Sequence, residues 1–408
     1  MQENTFKVNN IFNSAVIVAA LGYFVDVYDL VLFLIIGQKS LLAIGIAADK
    51  VVESFEYLLN VQMGGMLLGG IFWGILGDKK GRLSVLFGSI ITYSLANIAN
   101  GFVTSMDAYV ILRFIAGFGL AGELGAGITL VSEIMSKENR GYGTMVVASI
   151  GVTGAVVAAL VGKIGWQIAY WIGGGLGLSL LFLRIGVFES GMFSKMGEKH
   201  IQQGNFFALF KNKQIAIKYL SCILIGLPVW FIIGKLVGLS PQFAKELGVV
   251  GTIENGTSVM LCYSGLILGD LASGGISQYL KSRKRAMFLF YGLNTILVTL
   301  YLYLQGLDST TFYILIFLLG FSVGFWAVFV TIASEQFGTN LRATVATTVP
   351  NFVRGSLILV TIVLNIAKAS LGLIGGTALV AVGIMAISFF SLRALSETFG
   401  KELDYLEE

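Results

Sequence analysis

The sequence predicts an all-α membrane protein, with twelve transmembrane helices in two pseudo-symmetric six-helix bundles. Three observations carry that prediction. Of the 408 residues, 56% are hydrophobic and 12% charged, with a mean hydropathy of +0.84; soluble domains carry about 25% charged residues. Apolar stretches of the about 20 residues that a bilayer crossing needs recur along the whole chain. The second half of the chain also repeats landmarks of the first at a nearly constant offset.

In order, the spans read roughly 12–37, 54–77, 83–103, 108–132, 142–162, 166–189, 214–237, 257–279, 286–306, 310–334, 344–367 and 371–392. Glycine is abundant at 52 residues and suits close helix contact in lipid. Proline is scarce at three, and two of these, Pro228 and Pro350, fall inside spans, where they are expected to kink the helix near a cavity. The longest polar interruption begins at "SGMFSKMGEKH" and divides the chain into a first bundle (1–189), a cytoplasmic central loop (190–213), a second bundle (214–392) and a cytoplasmic tail (393–408). "MQENTFKVNN" reads as a short polar tail ahead of the first span, not a cleavable signal. With both termini cytoplasmic, Lys79, Lys80, Arg82, Lys137, Arg140 and the Lys281–Arg285 cluster all fall on the inner side, the orientation that the positive-inside rule favours. The expected location is the cell membrane, plasma or inner, with the lipid bilayer as partner and the chain a monomer.

The composition also excludes. Cys222 and Cys262 lie in apolar segments and imply neither a disulfide nor a metal framework. The single histidine, His200, lies in a polar loop. A membrane-embedded enzyme such as an acyltransferase needs a nucleophile–base or histidine–acid group within the membrane, so an enzyme is not expected. No metal, cofactor or nucleic-acid partner is implied.

The repeat is specific. "SEIMSKENRG" follows span 4 and "SEQFGTNLRA" follows span 10; Glu335 and Arg342 stand 202 residues after Glu133 and Arg140. "GILGDKKGR" (Gly74, Asp78, Lys79, Gly81, Arg82) follows span 2, and "GISQYLKSR" stands 201 residues later, with Tyr279 in place of the aspartate. Duplicated halves are a transporter signature, with the substrate site between them near the midplane. Gly74 is expected to let a neighbouring helix come close, Asp78 to accept charge-assisted hydrogen bonds, and Gly81 to permit a tight turn. Glu133/Arg140 and Glu335/Arg342 are expected to form ion pairs between helices that break in another conformation, or else to be exposed pairs of small effect. The missing second aspartate predicts an asymmetric gate.

Within the spans, ionisable residues stand out, because a charge at the bilayer centre costs about 2.5–3.5 kcal/mol on insertion scales. "GYFVDVYDLVLF" places Asp26 and Asp29 at i and i+3, on one helix face and about 4.5 Å apart along the axis. Two carboxylates that close in a low dielectric do not ionise together easily, so the pair is able to exchange a proton. The alternative is a protonated or hydrogen-bonded pair that only packs helices. Span 4 carries Arg113 and Glu123, about 15 Å apart along one helix, so each needs a partner elsewhere. Arg113 is expected beside the span 1 aspartates; Glu123 either titrates or orients substrate. Arg354 in span 11 and Lys235 near the outer end of span 7 would favour an anionic substrate, unless Lys235 snorkels outward. Asp270 is expected to pair with Arg354 or Lys235. Tyr28, Trp230 and Phe231 are candidate pocket walls. All of these charges are expected to border a wet central vestibule.

"GILGDKKGR" resembles the loop 2–3 signature of the major facilitator superfamily. "SEIMSKENRG", "SETFGK" and "FESGMF" (with Gly191 in place of a proline) resemble elements of its sugar-porter-like members. "DVYDL" resembles the span 1 motif of metabolite:proton, aromatic-acid:proton and phosphate:proton symporters, and "AGELGAG" is similar to the span 4 motif of metabolite:proton symporters. The resemblance implies a proton-coupled symporter importing a small organic solute by alternating access. Asp26, Asp29, Arg113 and Glu123 would couple protons, and Arg354, Lys235, Asp270, Tyr28 and Trp230 would bind substrate. Two alternatives share these parts, a phosphate:proton symporter and an exporter.

Overall fold

The computed structural model describes residues 14–80, 82–123, 140–189 and 206–401. Their regular structure is helical apart from an isolated bridge between Val250 and Asp308. In chain order the helices are α1 (Ser14–Ala43), α2 (Val51–Lys80), α3 (Arg82–Asn100), α4 (Met106–Leu120), α5 (Arg140–Val161) and α6 (Trp166–Glu189). A 3₁₀ turn (Phe206–Phe210) precedes α7 (Lys213–Leu224), α8 (Leu227–Phe231), a π-helical turn (Ile232–Val237) and α9 (Ser240–Glu246). Then come α10 (Asn255–Tyr279), α11 (Arg283–Tyr303), α12 (Ser309–Ser322), α13 (Trp326–Glu335), α14 (Thr339–Gly355) and α15 (Leu357–Ala394). Eight segments among the described residues are long and apolar enough to cross a membrane. The last, Thr344–Ala394, has 51 residues; straight, it would reach about 76 Å, more than twice a hydrocarbon core. Gly372, at φ 71° and ψ 178°, breaks it, and the chain returns so closely that a Cβ on Gly376 would lie 2.7 Å from the Lys368 amide nitrogen. This one segment therefore contains both of the last two expected spans.

Two other expected spans are interrupted. Span 7 breaks at Ile225–Gly226, just ahead of Pro228, which has no N–H to continue the ladder. Side chains satisfy carbonyls freed there: Ser388 Oγ donates to Leu224 O at 2.8 Å and Tyr291 OH to Ile225 O at 2.6 Å; in the π-helical turn beyond, Tyr301 OH donates to Leu236 O at 2.8 Å. Span 10 breaks at Val323–Phe325, where Gly324 lies against Gly269 so closely that a Cβ on it would come within 2.4 Å of the Gly269 Cα. Pro350 lies inside α14, and a one-residue interruption at Ser356 follows it.

Glycine contacts repeat between the halves. Cβ atoms on Gly65 and Gly69 of α2 would meet carbonyl oxygens of Phe114 and Phe118 at 2.3 Å each; on Gly265 and Gly269 of α10 they would meet those of Phe317 and Phe321 at 2.0 and 2.2 Å. The approach is reciprocal: Gly117 abuts Gln62 O, and Gly320 abuts Cys262 O. Helix pairs α2/α4 and α10/α12 are thus built by the same small-residue packing. Elsewhere α1 lies against α5 and α6, while α2 meets α14 and α5 meets α10 across the halves. Large apolar side chains such as Leu68, Ile111, Phe182 and Leu359 remain exposed on the outside of the helical array, as a lipid-facing surface requires.

Candidate functional site

From Val25 to Ile36 α1 is buried among neighbouring helices, so its two aspartates end up inside. Asp26 and Asp29 are at most 1% exposed. Asp26 Oδ2 lies 3.6 Å from Arg354 Nη2, an ion pair between α1 and α14. Arg354 Nη1 donates to Asn351 Oδ1 at 3.4 Å, and the guanidinium sits 5.7 Å from the centre of the Trp326 ring. Asn351 Nδ2 donates to Ala121 O at 2.8 Å, tying α14 to the end of α4. Glu123, 2% exposed, acts electrostatically on Asp26. Asp29 faces α6, where a Cβ on Gly173 would lie 2.2 Å from its Oδ1.

Several expected partnerships are rearranged. Arg113 forms no ion pair with an aspartate among the described residues. It donates to Gln62 Oε1 and lies 4.8 Å from the Phe33 ring centre and 5.8 Å from that of Tyr170, although it is close enough to act electrostatically on Asp29. Lys235 neither snorkels nor stays available to a ligand: its Nζ lies 2.5 Å from Glu56 Oε1, and its side chain is 1% exposed. Asp270 takes neither cation. Its Oδ1 accepts from the Ala327 amide at 3.1 Å, serving the N-terminus of α13, where amides lack helical partners. Tyr28 OH donates to Ala169 O at 2.9 Å and so pins α1 to α6. Trp230 is buried in the broken span 7.

Of the residues expected at the cytoplasmic gate, Gly81 and Glu133 and the side chains of Asp78, Lys79, Arg82 and Arg140 lie outside the described residues. Glu335 pairs with Arg283, the repeat counterpart of Arg82, at 3.3 Å, and Arg342 donates to Phe337 O at 3.2 Å. Gly74 is not the point of closest approach: a Cβ there would rest 3.6 Å from Thr348, in ordinary contact, whereas one on Gly70 would lie 2.9 Å from Asn351 Cβ. Glu397 of the tail accepts from the Ser282 hydroxyl and from the amides of Arg283 and Lys284, closing the N-terminus of α11. Partial burial pushes its carboxyl up, but these donors, with the Phe399 amide, outweigh that and hold it below the usual glutamate range.

Direct contacts also join the halves. Besides Lys235–Glu56, Asn255 Nδ2 donates to Leu34 O at 2.6 Å and Thr361 Oγ1 to Asn60 Oδ1 at 3.1 Å, all three between the halves. Sequence reasoning missed Glu56, Asn351 and Trp326. Asn351 was legible in principle, three residues before Arg354 and on its face. Glu56 stands at a span edge, where a carboxylate ordinarily meets water. Among the described residues no group of histidine, cysteine or acidic side chains is arranged to hold a metal ion.

A helical membrane protein with repeated packing and an ion pair buried between its halves has the architecture of a transporter rather than an enzyme. The family model of the Major Facilitator Superfamily matches residues 19–360, and the chain belongs to that superfamily. It is 28% identical to a probable 4-methylmuconolactone transporter of Cupriavidus pinatubonensis, over 79% of this chain and 76% of that one. It is 27% identical to the niacin transporter NiaP of Acinetobacter baylyi, over 70% and 72%. With the 3-(3-hydroxy-phenyl)propionate transporter of Escherichia coli it shares 28% identity, over 58% and 67%.

Proposed function

We propose that this chain is a proton-coupled symporter that imports a small carboxylate-bearing metabolite by alternating access. In this reading twelve spans form two six-helix bundles, 1–189 and 214–392, joined by a cytoplasmic loop, with both termini inside and the protein a monomer. The observation that carries it is the buried Asp26–Arg354 pair, 3.6 Å apart between α1 and α14. Breaking such a pair by removing one partner leaves an uncompensated buried charge. A substrate carboxylate takes Arg354 from Asp26 only if Asp26 loses its charge, and a proton on Asp26 removes it. Proton and anion therefore favour each other's binding, which is the linkage a symporter needs. Asp29 and Glu123 share the proton store, and Arg354, Asn351 and Trp326 receive the substrate. The relatives named for niacin and a phenylpropionate support a carboxylate-bearing substrate. As the halves rock, the Glu335–Arg283 contact and its expected counterparts at Asp78 and Glu133 break and re-form.

Asp26→Asn and Asp29→Asn, reconstituted in proteoliposomes with nicotinate as probe, are expected to lose accumulation against a gradient and to keep counterflow exchange. Unchanged proton-driven accumulation in both variants overturns the reading.

A further inference from the structure

The break in span 10 lies against an acid. A Cβ on Gly324 would come within 2.6 Å of the Asp270 amide nitrogen, and the first amides of α13, just beyond the break, have no helical partners. Asp270 Oδ1 accepts from one of them, the Ala327 amide, at 3.1 Å. Asp270 Oδ2 meets no hydrogen-bond donor among the described residues, although the residue is only 1% exposed.

Closing a helix start does not account for an aspartate here. One acceptor suffices, and asparagine or serine supplies it without a charge. A buried carboxylate is costly unless paired and hydrogen-bonded, and the two cations expected beside Asp270 are engaged elsewhere, Arg354 with Asp26 and Lys235 with Glu56. The same few residues tie Asp270 to the proposed substrate site. Helix α13 begins at Trp326, one residue before the amide that Asp270 holds, and the Trp326 ring lies 5.7 Å from the Arg354 guanidinium. Tyr23 of α1 is acted on by the charges of Arg354, Asp26 and Asp270 together, and its hydroxyl faces the Trp326 indole. Trp326 Nε1 nonetheless completes no hydrogen bond among the described residues, and neither does Arg354 Nε. The unpartnered groups around Trp326 therefore have opposite needs: two nitrogens offer hydrogens to an acceptor, and Asp270 Oδ2 takes one from a donor. Broken helices in transporters line the substrate site in this way.

We infer that Asp270 is a specificity-determining residue that takes a hydrogen-bond donor, the O–H or N–H of a hydroxyl or amino substituent, from a substrate whose carboxylate is held by Arg354. The inference rests on the substrate site proposed above and narrows its ligands from carboxylates in general to hydroxy- or amino-substituted ones. Such a donor satisfies Asp270 Oδ2 on binding. An acid without one leaves that oxygen desolvated and unpartnered, so the site rejects it by more than the loss of a single contact.

The test is calorimetric binding to the purified full chain at fixed pH. The probes are benzoate, 3- and 4-hydroxybenzoate, 3- and 4-aminobenzoate, and the two corresponding methoxybenzoates, which keep the oxygen but donate nothing. At least one hydroxy or amino acid is expected to bind wild type about tenfold or more tighter than both benzoate and its methoxy analogue. Asp270→Asn keeps an acceptor for the Ala327 amide but turns a donor towards the substrate, and is expected to shrink that preference to within about threefold. No such preference in wild type, a comparison that needs no variant, overturns the role of Asp270 alone, as does a preference that survives in Asp270→Asn. Failure of every probe to bind, or equal binding by wild type and Arg354→Gln, overturns the proposed substrate site instead.

Discussion

Gly173 lacks a side chain where Asp29 would collide with one. A methyl group there would fall 2.2 Å from Asp29 Oδ1 and 2.8 Å from Tyr28 Cε1, whereas one on Gly175, two residues on, would meet nothing within 4 Å. Overpacking of this kind costs about 1–3 kcal/mol, and a glycine-to-alanine change in open space gains a little helix propensity. Gly173→Ala is therefore expected to lower the thermal unfolding midpoint and to displace α1 from α6, while Gly175→Ala leaves the midpoint level or slightly raised; differential scanning in detergent measures both. At this scale the sequence was informative about which residues matter and silent about whom they meet. Asp26, Asp29, Glu123 and Arg354 announced themselves as charges in oily runs. That Asp26 would find Arg354, and Arg113 a glutamine and two aromatic faces, depends on how α1, α2, α4, α6 and α14 pack. No local spacing encodes that.

Among elements, the broken span 7 shows how an interruption becomes useful. The π-helical turn Ile232–Val237 shifts the register of side chains that follow a normal helix, and within it Lys235 reaches Glu56 on α2. Because Lys235 is 1% exposed and Glu56 12%, the two partners are not equivalent. Glu56→Gln strands a buried ammonium, expected to cost about 3–5 kcal/mol, while Lys235→Met leaves a carboxylate with some access to water. The expected order of unfolding midpoints is therefore wild type, then Lys235→Met, then Glu56→Gln, with the double variant above Glu56→Gln; equal losses in the two single variants would contradict this. "GLPVW" made a kink here legible. The break in span 10 was not, since no proline marks it: Gly324 ends α12 because Gly269 of another helix stands against it, a tertiary cause.

For the whole molecule, the offset repeat was the most readable feature, and glycine contacts repeated in α2/α4 and α10/α12 give it a physical basis. The contacts that join the halves were not readable, since they bring together residues far apart in the chain, 179 positions in the case of Lys235 and Glu56. The Glu397 clasp at the start of α11 adds a pH prediction. The Glu397 carboxyl is held below the usual glutamate range by its donors. A group whose carboxyl is depressed on folding contributes stability above its unfolded value and loses it as pH falls through the folded one. Acidification below the ordinary glutamate range is expected to release the tail from Ser282 and Arg283, seen as faster amide exchange at the start of α11. Glu397→Gln should remove that acid step.

The reversal at Gly372 bears on how the chain is made. Between Thr344 and Ala394 only Arg354, Lys368 and Arg393 are charged, and no polar segment separates the two arms. An insertion machine meeting this stretch receives no stop signal until one glycine with a positive φ doubles it back. The two arms are then expected to enter the bilayer together as a hairpin, and a β-branched residue at position 372, strained at a positive φ, is expected to lower the yield of inserted protein.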